Sequence, residues 1–194
     1  LSKIEATIAM PMHPSYTYTI HELMENAADI LNETQKRVNS QINSTASLDL
    51  TSKLHSDGEI YVDQGIIAGC SGGTFDNISI AANILDGKNC GNGIFSLNVY
   101  AESMPTYLEL MKNGALIKIA QAGGIIRECF CGPCFGAGDT PANGEFSIRH
   151  TTRNFPNREG SKPGEGQMAG VALMDARSIA ATAARQGKLT AATD

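Results

Sequence analysis

Apolar residues recur along the chain in two alternating rhythms, one of helical and one of strand spacing. Segment 4–10, IEATIAM, is a short apolar run closed by PMHP, and it predicts a strand or extended edge. Over 20–43 the stripe Ile20, Leu23, Met24, Ala27, Ala28, Ile30 and Leu31 falls on one face at helical spacing and predicts a helix. The polar stretch 44–58 reads as a connection, and EIYVDQGIIAGC as a buried strand that ends at Cys70. From there the signals alternate. TFDNISIAANIL (74–85) predicts a helix that buries Ile78, Ala81, Ala82 and Leu85, and GIFSLNVYA (93–101) predicts a strand. MPTYLELMKNG (104–114) predicts a helix with Pro105 near its start and Gly114 as its stop. Residues 115–128 carry an apolar turn and a strand, and GEFSIRHTT (144–152) alternates with period two. A Gly/Pro-rich loop over 156–170 precedes a closing helix over 174–188, stopped at Gly187. Strand–helix alternation of this kind predicts an α/β fold: a single three-layer α/β/α domain over 1–194 with a mostly parallel sheet.

Composition narrows the function classes. The 194 residues suffice for one sizeable core, and a hydrophobic share of 42% against 18% charged marks a globular chain. A net charge of −5 argues against a nucleic-acid partner. No apolar run reaches the roughly 18 residues of a membrane span, and no charged-then-apolar leader opens the chain. The chain begins at Leu1 without an initiator Met, so it reads as a piece of a longer protein or a trimmed one. Five cysteines, an odd number, make a poor disulfide framework, and a reducing, cytoplasmic compartment is expected.

Three of those cysteines stand in ECFCGPCFG, at Cys129, Cys131 and Cys134. A C-x-x-C pair can be a redox dithiol, half of a zinc site, or two ligands of an iron–sulfur cluster. Ligands of open α/β sheets bind beyond the carboxyl ends of the strands. Cys70 stands at such an end, and Cys131 and Cys134 follow the strand-like run GGIIRE, so two strand-end loops can bring three thiols together. Structural zinc is closed and four-coordinate. Three thiolates instead suit a cubane cluster whose fourth iron stays open as a Lewis acid. Two alternatives stay on the page: a non-catalytic thiolate (zinc) module for structure or sensing, and a redox dithiol, for which Arg127 is the one nearby positive charge. Cys90 has no partner motif, and the histidines His13, His21, His55 and His150 form no ligand-spaced pair.

AGCSGGTFDNI, CGPCFG and TTRNFPNREG resemble, in order and spacing, motifs of the aconitase iron–sulfur hydro-lyases. KIEATIAMPMHP resembles that family's opening strand and MDARSIAATAARQGKL its closing helix, so the similarity covers nearly the whole chain. The resemblance implies that Cys70, Cys131 and Cys134 ligate a [4Fe-4S] cluster and that Arg153 and Arg158 meet substrate carboxylates, to which a planar guanidinium is suited. Pro133 would fix the ligand loop, and Gly72 and Gly73 would allow close backbone approach. It further implies a hydro-lyase acting on a small hydroxy-polycarboxylate, with this chain similar to the third domain of the enzyme. The catalytic base would come from the remaining domains, so no catalytic residue is assigned here and the chain alone is expected to be inactive. Two positions depart from the family pattern. Ser71-Gly72 stands where Thr-Asn is usual, and Thr152 where Asn or Ser is. Both departures bear on substrate identity, since aconitase, homoaconitase, methylcitrate-type and isopropylmalate-type enzymes share such motifs. Cys129 is a possible rival ligand or disulfide partner, and an aerobically prepared chain is expected to lack the cluster.

Overall fold

The computed structural model describes residues 4–42, 44–91 and 93–193. The chain opens with strands β1 (Thr7–Ala9) and β2 (Thr17–Thr19), followed by helices α1 (Ile20–Glu25) and α2 (Ala27–Gln41). The helix expected over 20–43 is therefore two helices, and residue 43, like Lys3 of the opening motif, lies outside the described residues. The break is at Asn26, whose backbone N–H and side-chain Nδ2 both donate to the Glu22 carbonyl, each at 3.1 Å. An Asn side chain offers the backbone such an alternative to the helical ladder.

The rest of the chain supplies β3 (Gln64–Ile67), α3 (Gly69–Gly72), α4 (Phe75–Leu85), β4 (Ser96–Tyr100), α5 (Met104–Lys112), α6 (Ala115–Gln121), β5 (Ile125–Arg127), β6 (Phe146–His150), β7 (Gly170–Met174) and α7 (Ala176–Ala184). Two strands, β2 and β7, were not expected. β7 is the run GVALM, buried at four of its five positions. A strand buried on both faces shows no alternation, and so close to a helical pattern it carries no signal of its own.

The seven strands form one mixed, mostly parallel sheet in the order β2-β1-β7-β6-β3-β4-β5, consistent with the expected three-layer α/β class. β7, β6, β3, β4 and β5 are parallel, while β1 pairs antiparallel with both β2 and β7. The chain steps outward from β3 to β4 to β5, then returns to β6 on the other side of β3. The connections leaving β3 and β6 thus diverge, and the carboxyl ends of these two central strands frame the crevice where open α/β sheets bind ligands.

The sheet's two faces differ in chemistry. α7 packs on β3, β6 and α4, and α4 in turn on α5 and α6. Phe146, Ile148, Ile78, Ala82 and Ile179 belong to this main core. Along β6 the side chains alternate, so Ser147 and Arg149 point to the face opposite Phe146 and Ile148. That second face is mostly polar, with Gln64, Asn98, Ser147 and Arg149 around a small cluster of Ile66, Ala68 and Tyr100. No helix of the described residues is long and apolar enough to cross a membrane.

Helix starts are capped by the residue types that the sequence places there. Thr19, Thr74 and Ser103 each accept from a backbone N–H in the first turn of α1, α4 and α5. Asp175 does most. Its Oδ1 accepts from Arg177 N at 2.9 Å and Ser178 N at 3.1 Å, and its Oδ2 from the Ser178 hydroxyl at 2.6 Å. Because α7 braces both central strands, Asp175→Ala is expected to lower stability by about 1–2 kcal/mol, with Asp175→Asn retaining most of it. Urea unfolding with an unchanged slope checks this; a loss below a few tenths of a kcal/mol would show that the cap does not stabilise α7.

Candidate functional site

The carboxyl ends of β3, β5 and β6 carry the three motifs. Cys70 lies in α3, the single turn after β3, and not in an open loop. Ahead of it Gly69 has φ 71°, and a Cβ there would stand 2.9 Å from Cys134 Sγ. Only a glycine permits both that backbone conformation and that approach. The contact sets the Cys70 turn directly against the CGPC segment.

After β5 the chain runs to β6 without regular structure except the 3-10 turn Gly132–Cys134, started by Pro133 and closed by Cys134 N donating to Cys131 O at 2.9 Å. Cys134 is 7% exposed, whereas Cys70 and Cys131 are open to solvent. A second glycine contact brings in the third motif. Gly136 (φ 77°) and Gly160 (φ 99°) pack backbone to backbone, and a Cβ on Gly136 would lie 2.6 Å from Gly160 N and 3.0 Å from Arg158 O. The third motif is anchored in turn by buried Asn154, whose Nδ2 donates to Met10 O at 2.8 Å just past β1. Motifs far apart in sequence therefore touch in series: Cys70 turn to CGPC, CGPC loop to the arginine segment, arginine segment to β1.

The arginines differ from each other. Arg153 is exposed and, among the described residues, forms no ion pair or hydrogen bond. Arg158 is half-buried, with its guanidinium 5.0 Å from the centroid of the Phe155 ring. Around this edge several buried polar atoms have no partner among the described residues: Ser71 Oγ, Arg158 Nε, Glu159 Oε1 and His150 Nδ1. Buried polar atoms are ordinarily paired, and four of the seven unpartnered ones among the described residues fall within the touching motifs and the end of β6. His150 belongs to this edge even though its sequence neighbours gave no hint of it. Its carbonyl accepts from Ala68 N at 3.2 Å, and it packs on Gly72. Burial lowers the His150 pKa, against an opposing pull from Asp175.

Sequence reasoning missed the residues that hold the loop. Arg149 is 1% exposed and donates from Nη1 to Pro133 O (2.8 Å), from Nη2 to Asp139 O (2.5 Å) and Gln64 Oε1 (3.1 Å), and from Nε to Ser147 Oγ (3.1 Å). Burial brings its pKa down to about 10, opposed chiefly by the charge of Glu159 and then Asp139, so it is protonated at neutral pH. The Tyr100 hydroxyl donates to Asp139 Oδ2 at 2.6 Å, and burial followed by that bond raises the Tyr100 pKa. Arg127 sits 3.6 Å from Asp139 Oδ1 and donates to Asn98 Oδ1 at 3.1 Å. The available signal was a charged residue inside a strand otherwise read as half-buried.

The other two cysteines stand apart. Cys129 Sγ lies 3.8 Å from Met104 Sδ on α5, and burial raises its pKa. Cys90 is buried in the main core, with its thiol pushed up to about 11. All five thiols are free. Among the described residues no three His, Cys, Asp or Glu side chains gather around a position for one metal ion, the arrangement that four-coordinate zinc demands. A cluster places its thiolates on separate irons, so a donor set of two exposed thiols, one shielded thiol and small glycines between them is compatible with it. An open groove of ≈ 720 Å³ beside β1, β6 and β7 is lined by Arg149, His150, Asp175 and Arg177, but by none of the cysteines nor by Arg153 or Arg158.

Comparison with known proteins identifies the family. A family profile described as "Aconitase family (aconitate hydratase)" matches residues 1–181. The chain is 28% identical over 183 residues to a 3-isopropylmalate dehydratase large subunit of Clostridium kluyveri, covering 92% of this chain and 41% of that one. It is 38% identical over 120 residues to the protein of the same name in Mycolicibacterium smegmatis (61% of this chain, 28% of that one). With that of Clostridium beijerinckii it shares 32% over 143 residues (73% and 32%). The chain thus spans well under half the length of these relatives.

The thiols should be distinguishable by alkylation of the metal-free chain at mildly alkaline pH. Cys70 and Cys131 are expected to react first, Cys134 and Cys129 later, and Cys90 only on unfolding, because its raised pKa leaves little thiolate until the pH approaches 11. Peptide mapping reads the order; early labelling of Cys90 would contradict its place in the core.

Proposed function

The chain belongs to the aconitase family, and from that membership we propose that it is the cluster-carrying part of a hydro-lyase acting on a small hydroxy-carboxylate. The observation that carries the reading is the serial contact of the three motifs at one sheet edge, where polar atoms are left orphaned. In this reading Cys70, Cys131 and Cys134 hold a [4Fe-4S] cluster. When bound, that group supplies a Lewis-acidic iron able to polarise a departing hydroxyl. The chain's own residues do the rest of the local work. Arg153, exposed and without an ion pair among the described residues, and Arg158, beside the Phe155 ring, bind and orient substrate carboxylates through their planar forks. Ser71 Oγ, next in sequence to Cys70, is buried without a partner among the described residues, and the Gly72-Gly73 backbone would allow close approach. No general base is assigned to this chain; the proton would be taken by a group from the remaining domains of a longer enzyme, of which this is the third.

Exposed aromatic side chains support such partners. Phe130 and Phe135 are 50% and 55% exposed, meet edge to face, and rim the loop that carries the cysteines. The relatives' names favour an isopropylmalate-type substrate over citrate, and the replacement of the usual Thr-Asn by Ser71-Gly72 bears on that choice. Free thiols throughout suit a reducing, cytoplasmic compartment. Neither rival gains support. For zinc, no three His, Cys, Asp or Glu side chains gather around one position among the described residues. For a redox dithiol, Arg127, the charge that the sequence offers, is engaged by Asp139 and Asn98.

Anaerobic iron–sulfide reconstitution tests the reading, with absorbance, spin resonance and metal analysis. Wild type is expected to take up iron and sulfide in equal amounts, and Cys70→Ala to take up none. Equal uptake by both, or zinc without sulfide, would overturn the assignment. In the cluster-loaded chain Arg158→Lys, which keeps the charge and loses the fork, is expected to weaken calorimetric binding of a small polycarboxylate about tenfold. An unchanged affinity removes Arg158 from the site. The chain alone is expected to turn over neither citrate nor isocitrate; turnover would show that it holds a base of its own.

A further inference from the structure

Resting on the cluster-carrying reading, we infer that Arg149 is a positioning residue: its guanidinium fixes the CGPC loop so that Cys134 is held beside the Cys70 turn before any cluster arrives. The loop between β5 and β6 has almost no secondary structure to hold it, and its own backbone bonds near the cysteines, Cys134 N to Cys131 O, Phe135 N to Gly132 O and Ala137 N to Gly132 O, are all internal. Around the cysteines what ties it to the sheet, among the described residues, is side chains: Arg149 bonds two of its carbonyls, and Tyr100 bonds the Asp139 carboxylate. Its fork reaches Pro133 O, between the two cysteines of C-x-x-C, and Asp139 O, five residues past Cys134. Two carbonyls held by one rigid, planar group fix both the height and the rotation of the segment between them.

The guanidinium is itself held in place. Nε donates to Ser147 Oγ, Nη2 also donates to Gln64 Oε1, and Ser147 Oγ donates to the same Gln64 oxygen at 2.7 Å. Gln64 and Ser147 are register partners on β3 and β6. The loop is thereby referenced to the two central strands, and the Cys70 turn leaves the end of the same β3. Both halves of the thiol set share one rigid base, which is how precise constellations are kept. Glu159, 4% exposed and adjacent to Arg158, is the acidic group whose charge most favours the guanidinium.

The test reads loop position in the metal-free chain, independent of any cluster. Wild type, Arg149→Lys, Arg149→Met and the control Asp175→Ala are alkylated with iodoacetamide under native conditions, and labelling of Cys134 relative to Cys131 is read by peptide mass. Loss of the fork is expected to raise that ratio about tenfold in Arg149→Met, with Arg149→Lys between it and wild type, while Asp175→Ala leaves it near wild type. An unchanged ratio in both Arg149 variants, or an equal rise in the control, would overturn the inference by showing only general loosening. If Arg149→Met does not fold, Arg149→Lys decides by the same ratio. Reconstitution then separates the two readings. Cluster uptake several-fold slower in Arg149→Lys than in wild type supports the inference. If wild type takes up no cluster, the hydro-lyase reading fails while the labelling ratio still judges Arg149.

Discussion

A guanidinium buried where water does not reach must be given hydrogen-bond partners, and the ones Arg149 finds determine how this edge of the molecule is built. Burying an unpaired charge costs several kcal/mol. Here the cost is offset by four acceptors, two on sheet side chains and two on the backbone of an otherwise irregular loop. The requirement works in both directions. The loop carbonyls at 133 and 139 would also be left unpaired without the arginine. An interaction that looks like a defect in a core thus gives a loop without secondary structure one position relative to β3 and β6.

The glycines complete what the arginine begins. Positive φ at Gly69 lets the chain turn from β3 into α3 with no side chain in the way of Cys134 Sγ, and Gly136 and Gly160 let two loops meet backbone to backbone. Each contact excludes a Cβ, so each specifies residue type without touching a ligand. Together they tie the spacing of the cysteines, arginines and glycines in the three motifs to backbone contacts. Among the described residues the unpartnered buried atoms of Ser71, Arg158, Glu159 and His150 lie in or beside these motifs, and others stand elsewhere, on Thr34, Arg37 and Glu59.

Much of the architecture is legible in the pattern of apolar residues. α4, α5 and α7 fall within the segments expected for them, because capping residues (Thr74, Ser103, Asp175) and a helical stripe act over a few neighbouring positions. β3, β4 and β6 are equally visible. β2 and β7 are not: three residues of TYT carry too little pattern, and GVALM is apolar throughout and buried at four of its five positions, so it shows no alternation. The single helix read over 20–43 becomes two for a local reason that the stripe alone cannot express, the Asn26 side chain bonding back onto Glu22.

The sequence by itself determined the α/β class, the family and the three motifs, because each of these is written in residue types at short, fixed spacing. It named Cys70, Cys131 and Cys134 as a set and left Cys129 open; the fold sets the Cys129 thiol beside Met104. Only the tertiary structure decided which strand ends are neighbours, and so which motifs touch. That outcome depends on the return of the chain from β5 to β6 across β3, a long-range pairing with no local signature. Arg149 illustrates the limit. In the string it is one charge in an alternating segment; its role exists only because Pro133, Asp139, Gln64 and Ser147, up to 85 residues away, arrive within hydrogen-bonding distance of it.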